Sequence, residues 1–260
     1  MQMAVTKEIL SLAVEIGDAL LRNGAEIYRV EDTVMHILEA YEVENYDVYV
    51  LSNGIFASAN ENRDDACSLI RHVPLGKIHL GRIAALNQLS REVCSMECSL
   101  SEAWKRLEEC KDIPFQKKWV RVLFCGLGSA CFSYLFGGCA LDALLTFFSG
   151  ALLQLLLDHL ARSGASKFLT NILGSAAVTL YAMLALSISL PISYDKIIIG
   201  SIMPLVPGIA LTTSIRDFFN GDYLSGAIHM IDAILTAFCI AVGVGAVITI
   251  YHFFTGGFLL

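Results

Sequence analysis

The sequence predicts an α-helical membrane protein, with five transmembrane helices of which the fourth is broken by proline, preceded by a small cytoplasmic α+β domain. Three observations predict it. The 260 residues have a mean hydropathy of +0.61 and only 17% charged residues, where a soluble domain carries about a quarter. The charges are crowded toward one end: 13 Lys/Arg and 19 Asp/Glu lie up to Lys118, against 5 and 6 from Trp119 onward. Five long apolar stretches follow Lys118, each near the ~20 residues that cross ~30 Å of hydrocarbon. The expected division is a soluble domain over 1–113 and a membrane domain over 114–260.

In the soluble part, Ile9, Leu12, Ala13, Ile16 and Leu20 recur at helical spacing over 5–23, and Arg22-Asn23-Gly24 stops the helix. A second helix over 26–41 carries Val30, Val34, Ile37 and Leu38 on one face. The period then changes to that of strands. Residues 47–51 and 55–59 flank Ser52-Asn53-Gly54, a hairpin signal, and 67–73 reads as a third strand after a polar turn at Asn60–Asp65. Helices near 78–96 and 99–110 complete an α+β layer arrangement. Beyond Pro114 the spans fall near 119–138, 140–161, 168–190, 197–215 and 224–250. Arg216–Tyr223 reads as a short charged loop, with Asp222 or Ser225 placed to cap the fifth span.

A net charge of −7 argues against a nucleic-acid partner, which needs clustered cations to neutralise phosphates. Glu8, Glu15 and Asp18 in the first 23 residues are incompatible with a secretory signal peptide. The eight cysteines form no disulfide framework, and Cys94-x3-Cys98 has no second pair to complete a zinc site; no metal or cofactor is expected. The soluble domain offers Arg63, Asp64, Asp65, His72 and His79 as candidate polar groups, but no nucleophile elbow, phosphate loop or HExxH motif. An enzyme is not expected.

Loop charges set the orientation. With the N-terminus inside, cytoplasmic faces carry Lys117, Lys118, Arg121, Arg162, Lys167 and Arg216, against Lys196 alone outside, a positive-inside bias that puts the C-terminus outside the cell membrane.

Two places carry chemistry. Pro204 and Pro207, followed by Gly208, cannot sit in an undisturbed helix, because each removes a donor and crowds a preceding carbonyl. In lipid the freed carbonyls need partners or a polar cavity, so the break reads as a substrate site, with Thr212, Thr213 and Ser214 continuing its polar character, or as a kink needed for packing alone. His229 and Asp232 lie three apart on the fifth span, where an ionisable group is expensive. They read as a proton relay or as a structural pair. Asp142 and Asp158 lie nearer the span ends.

Gly17–Glu31 (GDALLRNGAEIYRVE), together with Met203-Pro-Leu-Val-Pro-Gly208, Arg216-Asp217, Gly221-Asp222 and Ser225-Gly226, resembles the threonine/serine exporter family in the order that family shows. The resemblance covers essentially the whole chain. It implies a cytoplasmic domain ahead of a five-helix membrane unit. It also implies a second, smaller membrane subunit supplying the other half, with threonine, serine or dicarboxylates such as succinate as solutes. On the motif, Gly24, Glu26, Arg29 and Glu31 match at the N-terminal end; Pro204, Pro207, Gly208, Asp217, Gly221 and Asp222 match in the membrane unit. The expected function is a subunit of a proton-coupled secondary exporter of small hydrophilic metabolites, alone or as a homo-oligomer with that partner. The rival readings are a membrane-anchored ligand-binding sensor or scaffold and a membrane-bound hydrolase.

Overall fold

The computed structural model describes residues 2–60, 66–74, 76, 78–186 and 191–255. Arg63, Asp64, Asp65 and the last residues expected in the third span, 187–190, lie outside them. The chain divides into two compact units, 1–115 and 116–260.

The first unit is built around one helix. Helix α1 (Gln2–Arg22) is followed by α2 (Ile27–Ala40), strands β1 (Asp47–Leu51), β2 (Gly54–Ala59) and β3 (Cys67–His72), then α3 (Leu80–Cys94) and α4 (Leu100–Lys111). The strands form an antiparallel meander in the order β1-β2-β3, with Val50 opposite Ile55 and Leu51 opposite Gly54 across the hairpin. Strand alternation sends Val48, Val50, Ile55, Ala57 and Ala59 inward and leaves Tyr49 and Phe56 outward. Helix α1 is not a one-faced surface helix. Leu10, Leu12, Ala13, Val14, Ile16, Ala19 and Leu20 are all buried, because α2, β2, β3, α3 and α4 all pack against it. Gly17 is where the fold needs a missing side chain, since a Cβ there would press on Val34 and Ile55.

The second unit has the opposite distribution of side chains. It comprises α5 (Lys118–Leu135), α6 (Ala140–Arg162), α7 (Lys167–Leu186), α8 (Tyr194–Ile202), α9 (Gly208–Asn220) and α10 (Tyr223–Thr255). Large apolar side chains point out: Phe124, Phe148, Leu184, Ile234, Phe238 and Phe253 are exposed. Small and polar ones point in, with Ser129, Ser133, Thr146, Ser149, Ser175, Thr179 and Ser201 wholly buried. Glycines set the helix spacing. A Cβ at Gly150 would strike Ser129, at Gly200 the Ser129 carbonyl and Ser133, and at Gly243 the Ile172 carbonyl and Ser175. Close backbone contact through small residues, under an apolar outer surface, is how helices associate where lipid removes the hydrophobic drive. A water-soluble unit could not leave that surface bare.

Helices α6, α7 and α10 are each long and apolar enough to cross a membrane, and α8 with α9 makes a fourth such segment if the bent pair is one span. Helix α5 has 18 residues, and Lys118 and Arg121 in its opening turn lower its apolar character. Five spans require both α5 and the reading of α8 with α9 as one span.

One expectation changes here. Arg216–Asn220 is not loop but the last turns of α9. Only Gly221 and Asp222 connect α9 to α10, Gly221 in the left-handed conformation (φ +88°) that glycine adopts without strain. The charges of Arg216 and Asp217 suggested solvent; Asp217 is instead buried between two helices.

Candidate functional site: a broken helix and the hairpin that follows it

Helix α8 ends at Ile202, and a single 3₁₀ turn, Met203–Leu205, carries Pro204. Pro207 then stands immediately ahead of α9. The segments on either side are bent by 57°. Pro204 has no N–H for the Gly200 carbonyl four residues back, and what bonding survives is local: Val206 donates to Met203 at 3.1 Å and Leu211 to the Pro207 carbonyl at 3.1 Å.

The break has two unlike sides. Leu205 is buried in an apolar cluster with Leu153, Val178 and Ile240. Pro204, Val206, Gly208, Ile209 and Thr212 are exposed on the outer surface of the chain. Thr212 Oγ1 donates back to the Gly208 and Ile209 carbonyls at 3.1 and 3.0 Å, and Thr213 does the same to Ile209 and Ala210. These hydroxyls support carbonyls in the first turns of α9.

Past the break, α9 and α10 form a locked hairpin. Ser214 Oγ donates to the Gly226 carbonyl at 2.8 Å. Phe218 lies so close to Gly226 that a Cβ would crowd its ring. His229 Nδ1 is 3.0 Å from Asp217 Oδ2, with the Asp217 carboxylate almost wholly buried. The Asp222 carbonyl accepts the first α10 bond, from Gly226 N–H at 2.9 Å.

The relay drawn from spacing between His229 and Asp232 is not formed. His229 pairs with Asp217, and Asp232 Oδ2 is 2.5 Å from Lys167 Nζ, the first residue of α7. The depth assigned to Asp232 also changes. Gly243 packs beside Ile172 and Ser175, so α7 and α10 run in the same direction with Asp232 level with the start of α7. Helix α10 is 33 residues long and extends well beyond that level, whereas counting from its first residue assumed that helix and bilayer begin together.

The acids nearer the span ends are also engaged. Asp142 accepts from Cys139 N–H and from Ser193 N–H, both at 2.9 Å, fastening the start of α6 to the start of α8. Asp158 is 3.2 Å from Arg121.

The N-terminal motif residues serve local structure. Gly24 ends α1 at φ +83°. Glu26 and Arg29 form a 3.0 Å surface pair. Glu31 Oε2 accepts from Val50 N–H at 3.1 Å, joining α2 to β1. His79 caps α3, its Nδ1 accepting from Arg82 N–H. His72 is exposed on β3.

Sequence reasoning named Ser214 beside the break and Lys167 among the cytoplasmic cations, but not their partners Gly226 and Asp232. Ser214 and Asp217, three apart, face Ser225, Gly226 and His229 across the Gly221 turn, and helical spacing on both sides was the available signal.

An α+β unit followed by long apolar helices that meet through small residues defines a multi-pass membrane protein. Residues 11–251 match the family described as "Putative threonine/serine exporter". The chain belongs to the threonine/serine exporter family, whose members are membrane transporters and not enzymes. It is 23% identical to the "Probable threonine/serine exporter" of Mycobacterium tuberculosis over 92% of its own length, but spans only 45% of that relative. It is 24% identical to the "Probable succinate transporter subunit YjjP" of Escherichia coli, covering 96% of this chain and 98% of the relative. The Klebsiella aerogenes protein of the same description is 23% identical, over 96% and 95% respectively. No solved structure matches the chain.

Proposed function

We propose that this chain is one subunit of a secondary exporter of small hydrophilic metabolites, and that its solute path lies on the open side of the α8–α9 break. The observation that carries the reading is the two-sidedness of that break. Leu205 seals one side with apolar packing, while Pro204, Gly208 and Thr212 face away from the chain. Interrupted backbone facing lipid is costly, and such backbone is tolerated where protein or a water-filled cavity covers it. A second membrane unit over this face supplies both the cover and the other wall of a path. Broken helices at a repeat interface are where transporters hold their solutes.

The descriptions of the relatives support a partner. The M. tuberculosis relative is about twice as long as the matched region, and the E. coli relative, of the same length as this chain, is described as a subunit. By likeness to that subunit, a separate, smaller membrane protein supplies the second half in this reading. The solutes are threonine- and serine-like amino acids or dicarboxylates such as succinate, read from the descriptions of those relatives. Helix α5 counts as the first of five spans, and the parallel course of α7 and α10 suits third and fifth spans. With Lys117, Lys118, Arg162 and Lys167 inside, the first unit is cytoplasmic.

Proton coupling belongs to Asp217 and His229, a buried carboxylate and imidazole in contact 3.0 Å apart beside the path. Lys167 compensates the charge of Asp232.

Replacing both Pro204 and Pro207 by alanine tests the reading. Efflux from preloaded vesicles should fall about tenfold or more with insertion unchanged, because an uninterrupted helix satisfies the carbonyls that the path uses. Wild-type flux would reduce the break to a packing device.

A further inference from the structure

The first unit contains a cavity of about 510 Å³, of the size that small metabolites occupy. Its walls come from distant parts of the chain: Glu15, Asp18 and Arg22 on one face of α1, Arg82 on α3, Lys111 at the end of α4, and Phe115 beyond it. The wall near Gly76 is closed by backbone contact, since a Cβ on Gly76 would collide with the Arg22 carbonyl.

Charge inside this cavity does not cancel. Asp18 is held by both arms of Arg22, at 2.6 and 3.0 Å. Glu15 is shared by Lys111 at 2.9 Å and Arg71 at 3.1 Å. Burial alone would push the Glu15 carboxyl up, but Lys111, Arg71 and Arg22 outweigh it and hold it below its ordinary value. Both carboxylates are thus committed to cations. The remaining cation is Arg82. Its Nε donates to the Ile113 carbonyl at 2.8 Å and its guanidinium lies over the Phe115 ring, 5.5 Å from the centroid. Among the described residues it meets no carboxylate, which leaves the terminal nitrogens of a planar fork for an anion.

We infer that this cavity is a binding site for a small carboxylate metabolite, with Arg82 receiving the carboxylate between the α1 and α4 walls. A carboxylate matches the guanidinium fork in two parallel hydrogen bonds. All the lining residues of the cavity belong to the first unit. The same Arg82 holds Ile113 and Phe115, and His79 reaches the Pro114 carbonyl at 3.3 Å while stacking against Phe115. A carboxylate on the terminal nitrogens therefore binds the same guanidinium whose Nε holds the Ile113 carbonyl.

The inference rests on the exporter reading for its choice of probes, succinate and L-threonine. Calorimetric titration of the full chain in detergent should show binding of at least one of them, weakened about tenfold or more by Arg82→Gln, the range for loss of a charged hydrogen bond. Arg91→Gln, which removes an exposed arginine of the same helix that does not line the cavity, should leave affinity unchanged. In the wild-type protein, the bound probe should protect Arg82 from an arginine-selective reagent, read by mass spectrometry, so the test does not depend on the variant folding. Equal affinity in wild type and Arg82→Gln, no binding of either probe, or inorganic phosphate binding as tightly would overturn the assignment. Absent efflux with Arg82-dependent binding intact would count against the exporter reading alone, and efflux without such binding against this site alone.

Discussion

At the scale of single residues, polar side chains act in pairs that the sequence places far apart. Glu15 and Lys111, 96 residues apart, both shift. Burial would lower the Lys111 pKa, but Glu108 and Glu15 raise it overall, while the Glu15 carboxyl is held down. A carboxyl with a depressed folded pKa contributes stability above its unfolded value, and loses it as pH falls through the folded one. Glu15→Gln should therefore cost about 1 kcal/mol at neutral pH. Its denaturation midpoint should converge on the wild type below about pH 4. A gap that persists in acid would remove the bridge from the account. In the second unit, Asp217→Asn should abolish the dependence of efflux on a pH gradient while costing about 1–3 kcal/mol of stability. Wild-type gradient dependence, measured in vesicles, would move coupling elsewhere.

These pairs also show where sequence reasoning ran out. Helical spacing identified that His229 and Asp232 share a stretch of helix, but spacing does not say what lies opposite. The partners, Asp217 and Lys167, come from α9 and α7. The cavity around Arg82 was invisible for the same reason, because its walls are drawn from residues 15 to 115.

At the scale of elements, the signals that proved legible were local ones. Asn53-Gly54 sits where β1 turns into β2, Gly24 ends α1, and the change from helical to strand period falls between α2 and β1. Pro204 and Pro207 locate the end of α8. The end of α9 was not legible, because Arg216 and Asp217 carry charges that in isolation prefer water, and only the hairpin with α10 gives Asp217 its partner. That hairpin depends on a missing side chain. Gly226→Leu should force Phe218 aside and destabilise the second unit by about 1–3 kcal/mol, seen as a lower unfolding temperature in detergent. An unchanged transition would mean that α9 and α10 are not held by this contact.

At the scale of the whole molecule, the two units follow opposite packing rules. The first buries Leu10, Leu12, Ile16, Leu86 and Leu107 and is held by the hydrophobic effect. The second buries serines and glycines and turns its phenylalanines outward, which suits a solvent of hydrocarbon. The charges thin out at Lys118, close to the point where the two units divide. What composition does not reveal is that the broken helix is packed on one side only. That asymmetry is the reason for proposing a second membrane subunit.

The most direct measurement is efflux of labelled succinate or threonine from sealed vesicles, with this chain reconstituted alone and together with that smaller subunit. Co-reconstitution should yield gradient-driven efflux, and this chain alone should give background leakage. Full efflux from this chain by itself, as a monomer, would contradict a path that needs a second chain to close it.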